Sequence, residues 1–198
     1  MKRIGIFVFD DMEELDAIGP YEVLGMARSQ RPSAIDVCLV AETLARPVRC
    51  VNGLRLLADH DFASAPPLDV LLIPGGTGTR AAATNPRVLE WVTTCADKAE
   101  IVASVCTGAR ITLAAGLAAN RRITTHHSAI EELRRDGRAA EVLEGVRFVQ
   151  DGPVVHSAGV SAGIDMTLWL VGRICDPDLA RSVARMIEYS PAATEAHS

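Results

Sequence analysis

Four short apolar runs, KRIGIFVF, IDVCLVA, DVLLIP and IVASVC, constrain this chain more than any other feature. Each is rich in Val, Ile and Leu, and none alternates cleanly between apolar and polar side chains. A strand with one wet face alternates; a strand buried on both faces does not, and that condition is met mainly in parallel sheets covered by helices. Helical patterns fall between the runs, PYEVLGMARSQ after the first and PRVLEWVTTCADKA before the fourth, with Pro86 suited to a first helical position. The alternation predicts a doubly wound, mostly parallel α/β layer sandwich with helices on both faces. Ligands in such a sheet bind beyond the carboxyl ends of the strands. Three segments are thereby singled out: FDDMEELD, PGGTGT and CTGA.

The remaining chain extends the pattern. PVRCVNGLRLLAD carries Asn52-Gly53 between strand-like runs, a hairpin signal. RRITT, VRFVQ and PVVHS read as strands, and SAIEELRR, AGIDMTLWLVGRI and DLARSVARMIEY as helices. Asp59-His60-Asp61 reads as a surface turn. Nothing suggests a linker or repeat, so residues 1–198 are expected to form one domain with 190–198 as a peripheral tail. A net charge of -5 without a Lys/Arg cluster argues against nucleic acid as the main partner. The apolar stretch Ile4 to Phe9 is too short for a signal peptide and is followed by DDMEE, and no run nears the ~20 apolar residues that span a bilayer. Five cysteines, an odd number without CxxC spacing, point to reduced thiols and a cytoplasmic location.

Cys106 ends the run IVASV and opens the helical pattern TGARITLAAG. A sharp strand-to-helix turn there lifts the side chain above the sheet, as a nucleophile elbow does for serine. Gly108 and Ala109 allow a tight turn, and the helix start favours a thiolate. The competing reading is a buried inert cysteine, which suits Cys38 and Cys175. A thiolate needs a proton partner. Asp10, Asp11, Glu13, Glu14 and Asp16 are all candidates, and spacing alone does not choose among them; Asp16, ahead of Gly19-Pro20, reads equally as a helix cap. PGGTGTR lacks both the GK[ST] ending of a phosphate loop and the spacing of a dinucleotide fingerprint. His127 and Glu131 have an i,i+4 spacing that can hold zinc on a helix, but no further ligand is evident and no metal is expected. His156 reads as a core histidine, Ser161 or Asp165 as a helix cap, and Met166, Leu168 and Trp169 as core.

SVCTGA, the upstream PGG, the downstream TTH, SAGVSAGID and the early ELDAIGPYEVLG occur in the same order as in the ThiJ/PfpI superfamily (class I glutamine amidotransferase-like), which this chain resembles over nearly its whole length. LD-x-x-GP-YEV with SVCTGA is most similar to the isocyanide hydratase branch. The resemblance implies a flavodoxin-like fold and a reactive Cys106, with Asp16 as its acid and the backbone N–H groups of Gly76 and Thr107 as oxyanion donors. It places Gly75, Ile18 and His126 in the substrate pocket, with His127 where relatives usually carry tryptophan. Thr107 stands where the peptidase-like branch carries histidine, which makes peptidase activity a poor fit. The implied activity adds water to an isocyanide, giving an N-formamide through a covalent thioimidate on Cys106, with no metal or organic cofactor and a homodimeric assembly. The alternatives are a glutathione-independent glyoxalase acting on small oxoaldehydes and a cysteine redox sensor or chaperone. The same features occur in ligand-binding domains of AraC-type regulators, but too little chain follows DLARSVARMIEY for a helix-turn-helix domain.

Overall fold

The computed structural model describes residues 1–192. β1 (Lys2–Phe7) leads to α1 (Glu14–Gln30) and β2 (Ile35–Ala41), followed by β3 (Val48–Arg49), β4 (Arg55–Leu56) and β5 (His60–Asp61). β6 (Val70–Ile73) precedes α2 (Thr79–Ala82) and α3 (Pro86–Ala96), and β7 (Ile101–Val105) precedes α4 (Ala109–Ala114). β8 (Arg122–Thr124), α5 (Ile130–Asp136), β9 (Glu141–Leu143), β10 (Phe148–Asp151) and β11 (Val154–Ser157) come next, and α6 (Ala162–Ile174) and α7 (Pro177–Met186) complete the described chain.

The central sheet has the order β10-β11-β7-β6-β1-β2-β5, and only the β10–β11 pair is antiparallel. The four apolar runs are its middle strands, and they do not alternate because both faces are covered. Val23, Leu24 and Ala27 of α1 pack with Met166, Leu170 and Leu179 of α6 and α7 on one face. Val88, Trp91 and Val92 of α3 pack against Phe7, Leu71 and Ile73 on the other. The sheet grows from β1 in both directions, towards β2 on one side and towards β6 and β7 on the other. That reversal opens a crevice at the carboxyl ends of β1, β6 and β7, the place where doubly wound sheets bind ligands.

Several elements differ from the sequence reading. β8 pairs with β9 in a separate two-stranded sheet rather than joining the central one. Asp59-His60-Asp61 is no surface turn: His60 pairs with Val40 at the sheet edge, and Asp59 Oδ2 accepts the Leu39 N–H at 2.8 Å. The hairpin forms, with Val48 opposite Leu56 and Gly53 at φ 97°, but its loop is wider than the Asn-Gly pair. α1 starts at Glu14 and runs through Pro20, so Asp16 lies inside the first turn instead of capping it. Of the tail 190–198, Ala192 donates its N–H to Asp165 Oδ1 at 3.2 Å, and residues 193–198 lie outside the described residues.

Candidate active site

Three chain reversals meet in the crevice. Asp16 arrives on α1 after β1, Gly75 and Gly76 follow β6, and Cys106 follows β7. Gly75 stands at the point where they converge. A Cβ atom there would lie 2.6 Å from Thr107 N, 2.8 Å from Asp16 Oδ2 and 2.8 Å from Cys106 Cβ. No side chain fits, so glycine is what lets the three segments close.

Cys106 has φ 57°, a left-handed conformation that L residues avoid and that stores ~1–3 kcal/mol of strain. The surroundings hold it there. Its N–H donates to Ala158 O at 3.2 Å, and the buried Thr125 hydroxyl donates to its carbonyl at 2.8 Å. Residues Cys106–Gly108 form a 3-10 turn that runs directly into α4, and a Cβ on Gly108 would come within 2.4 Å of Ile73 O. This is the elbow that the sequence suggested.

Asp16 is fully buried and Cys106 is 6% exposed. Gly75 N–H donates to Asp16 Oδ2 at 2.9 Å, while Oδ1 has no hydrogen-bond partner among the described residues. Among the described residues no cation forms an ion pair with Asp16. Burial therefore pushes the Asp16 carboxyl up to about 7, despite the opposing pull of the Gly75 N–H. Burial and the Asp16 charge push the Cys106 thiol up to about 12, against which the Thr107 and Val160 N–H groups favour the thiolate. The start of a short helix does not by itself ionise this cysteine, as the sequence had suggested. What the site holds is an acid pair that cannot lose both protons together; between its two titration steps the thiol and carboxyl share one.

The other expected residues stand at different distances from this pair. Thr107 N–H is turned to the thiol, but Gly76 N–H is taken by the Thr107 hydroxyl at 2.9 Å. Ile18 is half-buried on α1, outside the packed core. His126 holds its Nδ1 2.8 Å from Ser128 Oγ and lies against Gly159, where a Cβ would meet its ring at 2.2 Å. The His126 and His127 rings are 4.1 Å apart, and burial holds the His126 pKa below the usual range. Both line a cleft of about 320 Å³ that includes Thr125, Arg147 and Val160. The cleft thus reaches residues that touch the Cys106–Asp16 pair.

Sequence reasoning missed Val160 and Thr125. Val160 has φ 46°, an unusual value for a β-branched residue, and this turns its N–H towards both acids of the pair. Nothing in a valine between Gly159 and Ser161 announces that conformation. Other expectations move. Asp165 is no cap: it is buried in an ion pair with Arg147 from the segment before β10. Ser161 stands at the start of α6 without a side-chain capping bond. Asp10 pairs with Arg46, and Glu14 accepts the Asn52 N–H at 2.7 Å, so these acids brace the hairpin rather than sit free in solvent. His127 lies in a 3-10 turn before α5 and Glu131 pairs with Arg134, so the two do not share a helix face. His156 is fully buried with Nε2 2.9 Å from Thr112 Oγ1, a core histidine as expected, and burial drives its pKa down to about 3.

Comparison with known proteins identifies the family. The sequence profile of the DJ-1/PfpI family matches residues 2–173. An isonitrile hydratase from Pseudomonas putida is 35% identical over 190 residues, covering 96% of this chain and 79% of that protein. A glutathione-independent glyoxalase from Caenorhabditis elegans is 25% identical over 178 residues, covering 89% of this chain and 90% of the relative. The crystal structure of a ThiJ/PfpI family protein from Pseudomonas syringae superposes with a TM-score of 0.86 at 31% identity, covering 98% of this chain and 77% of that one.

Proposed function

The chain belongs to the DJ-1/PfpI family, and on that premise we propose that it hydrates an isocyanide to an N-formamide, with Cys106 as nucleophile and Asp16 as its proton carrier. The observation that carries the reading is the buried Asp16–Cys106 pair at the elbow, its carboxyl raised by burial, together with 35% identity to an isonitrile hydratase. In the singly protonated pair, the thiolate attacks the terminal carbon of R–N≡C. The S–C bond forms, and the Asp16 proton passes to that carbon, giving R–N=CH–S–Cys106. Water then adds across the C=N bond, hydroxyl to carbon and hydrogen to nitrogen. Collapse of the hydroxyl to a carbonyl breaks the C–S bond, returns the second water proton to Asp16 and releases R–NH–CHO. Atoms balance with one water consumed and no change of oxidation state, so the steps need no metal or organic cofactor. The Thr107 N–H meets charge developing at the nitrogen.

The test is ultraviolet-monitored conversion of p-nitrophenyl isocyanide by wild type and by Cys106→Ala. Turnover that vanishes in the variant supports the reading; equal turnover by both overturns the nucleophile. The glyoxalase relative supports a second reading, hydration and rearrangement of a small oxoaldehyde by the same pair. Methylglyoxal turnover exceeding isocyanide turnover under matched conditions would select it. We also take residues 1–198 as one domain acting as a homodimer. Leu15 at the start of α1, Leu54 in the hairpin loop and Leu57 just after β4 are exposed apolar side chains available to such a contact. Sedimentation at the mass of one chain would refute it.

A further inference from the structure

Arg110, the second residue of α4, carries its guanidinium into the interior at 9% exposure. Its Nε and Nη2 fork onto the two carboxylate oxygens of Glu132, each at 2.7 Å. The third donor does something the ion pair does not require: Nη1 reaches the fully buried Thr79 hydroxyl at 3.2 Å. A hydroxyl that accepts from a guanidinium has its own hydrogen pointed elsewhere, and Thr79 sends it to Gly76 O at 2.7 Å. Thr107 Oγ1 completes the set, accepting the Gly76 N–H at 2.9 Å and lying 3.1 Å from Gly76 O. Gly76 is thereby gripped at both its N–H and its carbonyl, in a backbone conformation, φ 114°, that favours glycine alone. The adjoining Gly75 donates its N–H to Asp16.

From this chain of contacts we infer that Arg110 is a positioning residue for the reaction: acting through Thr79, it fixes the Gly75–Gly76 turn against Asp16 and Cys106. The inference rests on the reading of Cys106 and Asp16 as the reacting pair. Guanidinium suits the task because its planar fork is locked by Glu132, so the remaining donor has one direction. When that donor is lost, the Thr79 hydroxyl is free to rotate, the turn loosens, and the Gly75 N–H bond to Asp16 weakens. That bond favours the ionised carboxylate, so its weakening raises the pH at which the pair loses its first proton. Glu13 and Cys106 also act on Asp16; Glu13 donates its N–H to Gly75 O at 3.0 Å, so it borders the same turn, but neither side chain is altered by the substitutions.

The test is the rate of Cys106 alkylation by iodoacetamide against pH, read at that cysteine by mass spectrometry, in wild type, Arg110→Met and Thr79→Val. This readout needs no isocyanide, so failure of the hydratase reading appears separately, as wild type without turnover. The expected result is an acid limb moved upward by about one pH unit in both variants, the effect of one lost hydrogen bond to a charged group. Isocyanide turnover should fall about tenfold in kcat with KM little changed. An unmoved limb in Thr79→Val overturns the inference, whatever the stability of Arg110→Met. A limb moved in Arg110→Met but not in Thr79→Val also overturns it, since the effect then bypasses the hydroxyl.

Discussion

Asp16 and Asp165 make an instructive pair. Both are carboxylates in the first turn of a helix, on α1 and α6, which pack against each other, and both are nearly inaccessible to water. Asp165 is met by Arg147, whose Nε lies 2.7 Å from Oδ2, and by the Ala192 N–H. Asp16 is met by the Gly75 and Val160 N–H groups and a thiol; among the described residues it has no cation in ion-pair contact, and one of its oxygens has no hydrogen-bond partner. Equal burial therefore has opposite consequences. Where a guanidinium balances the charge, the carboxylate ties the segment before β10 and the chain after α7 to α6. Where none does, the proton is held loosely near neutral pH and becomes available for chemistry.

The sharpest way to break the contrast is Asp16→Asn, which keeps the shape and removes the titration. In wild type, alkylation of Cys106 should rise with a midpoint near 7, as the pair loses its first proton. In the variant the step near 7 should vanish, and the lone thiol should ionise in one step, above the ordinary thiol value because it is buried but below about 12 because the Asp16 charge that raised it is gone. Stability should move the other way. A carboxyl raised from 3.8 to about 7 on folding makes the native state prefer the protonated form, so its contribution is full below pH 4 and is lost as pH rises to 7. The rise of about 3 units, at about 1.4 kcal/mol each, sets a ceiling on the order of 4 kcal/mol. His156 works against this slope: with its pKa depressed from 6.5 to about 3, it stabilises above pH 6.5 and loses that contribution as pH falls towards 3. The melting temperature of Asp16→Asn minus that of wild type isolates the Asp16 contribution, and should increase from pH 4 to 8. A difference that stays constant would mean Asp16 is not an isolated buried acid.

The opposite substitution should do the opposite. Asp165→Asn strips a partly exposed Arg147 of its partner and costs ~2 kcal/mol, less than a fully buried pair because the guanidinium can turn to water. Cys106 alkylation should keep its wild-type midpoint. A loss of reactivity equal to that of Asp16→Asn would show that the two carboxylates are not functionally separate.

Such a contrast was only half visible in the sequence. The parallel sheet was legible because burial on both faces erases alternation, and the elbow because a strand ran into a helix at Cys106. Asp16 could be placed beside that cysteine only through family resemblance, since five acids lie within seven residues of the same loop. Its isolation from positive charge was out of reach, because it depends on where Arg46 and Arg147 go, and both turn to other acids. Likewise Val160 and Arg110 serve the site through a backbone angle and a three-residue relay across α2, α4 and α5, neither of which has a local signature.

The smallest effect tests how complete that isolation is. Glu13, at the residue before α1, is a charged neighbour that raises the Asp16 pKa by repulsion, after burial has done most of the work. The Glu13 side chain is partly exposed and meets the Asn52 amide at a long 3.4 Å, while its backbone bonds to Gly75 O and the Asp16 N–H survive the change, so Glu13→Gln should leave the fold unchanged. Removing its charge should lower the midpoint of Cys106 alkylation by a few tenths of a pH unit in dilute buffer. Because the repulsion passes partly through solvent, the shift should shrink as salt shortens the screening length from ~30 Å at 0.01 M to ~3 Å at 1 M. A shift that persists undiminished in high salt would mean that Glu13 acts on Asp16 through the loop geometry and not through its charge. A shift of a full unit would mean that like-charge repulsion rivals burial in setting this acid apart from Asp165.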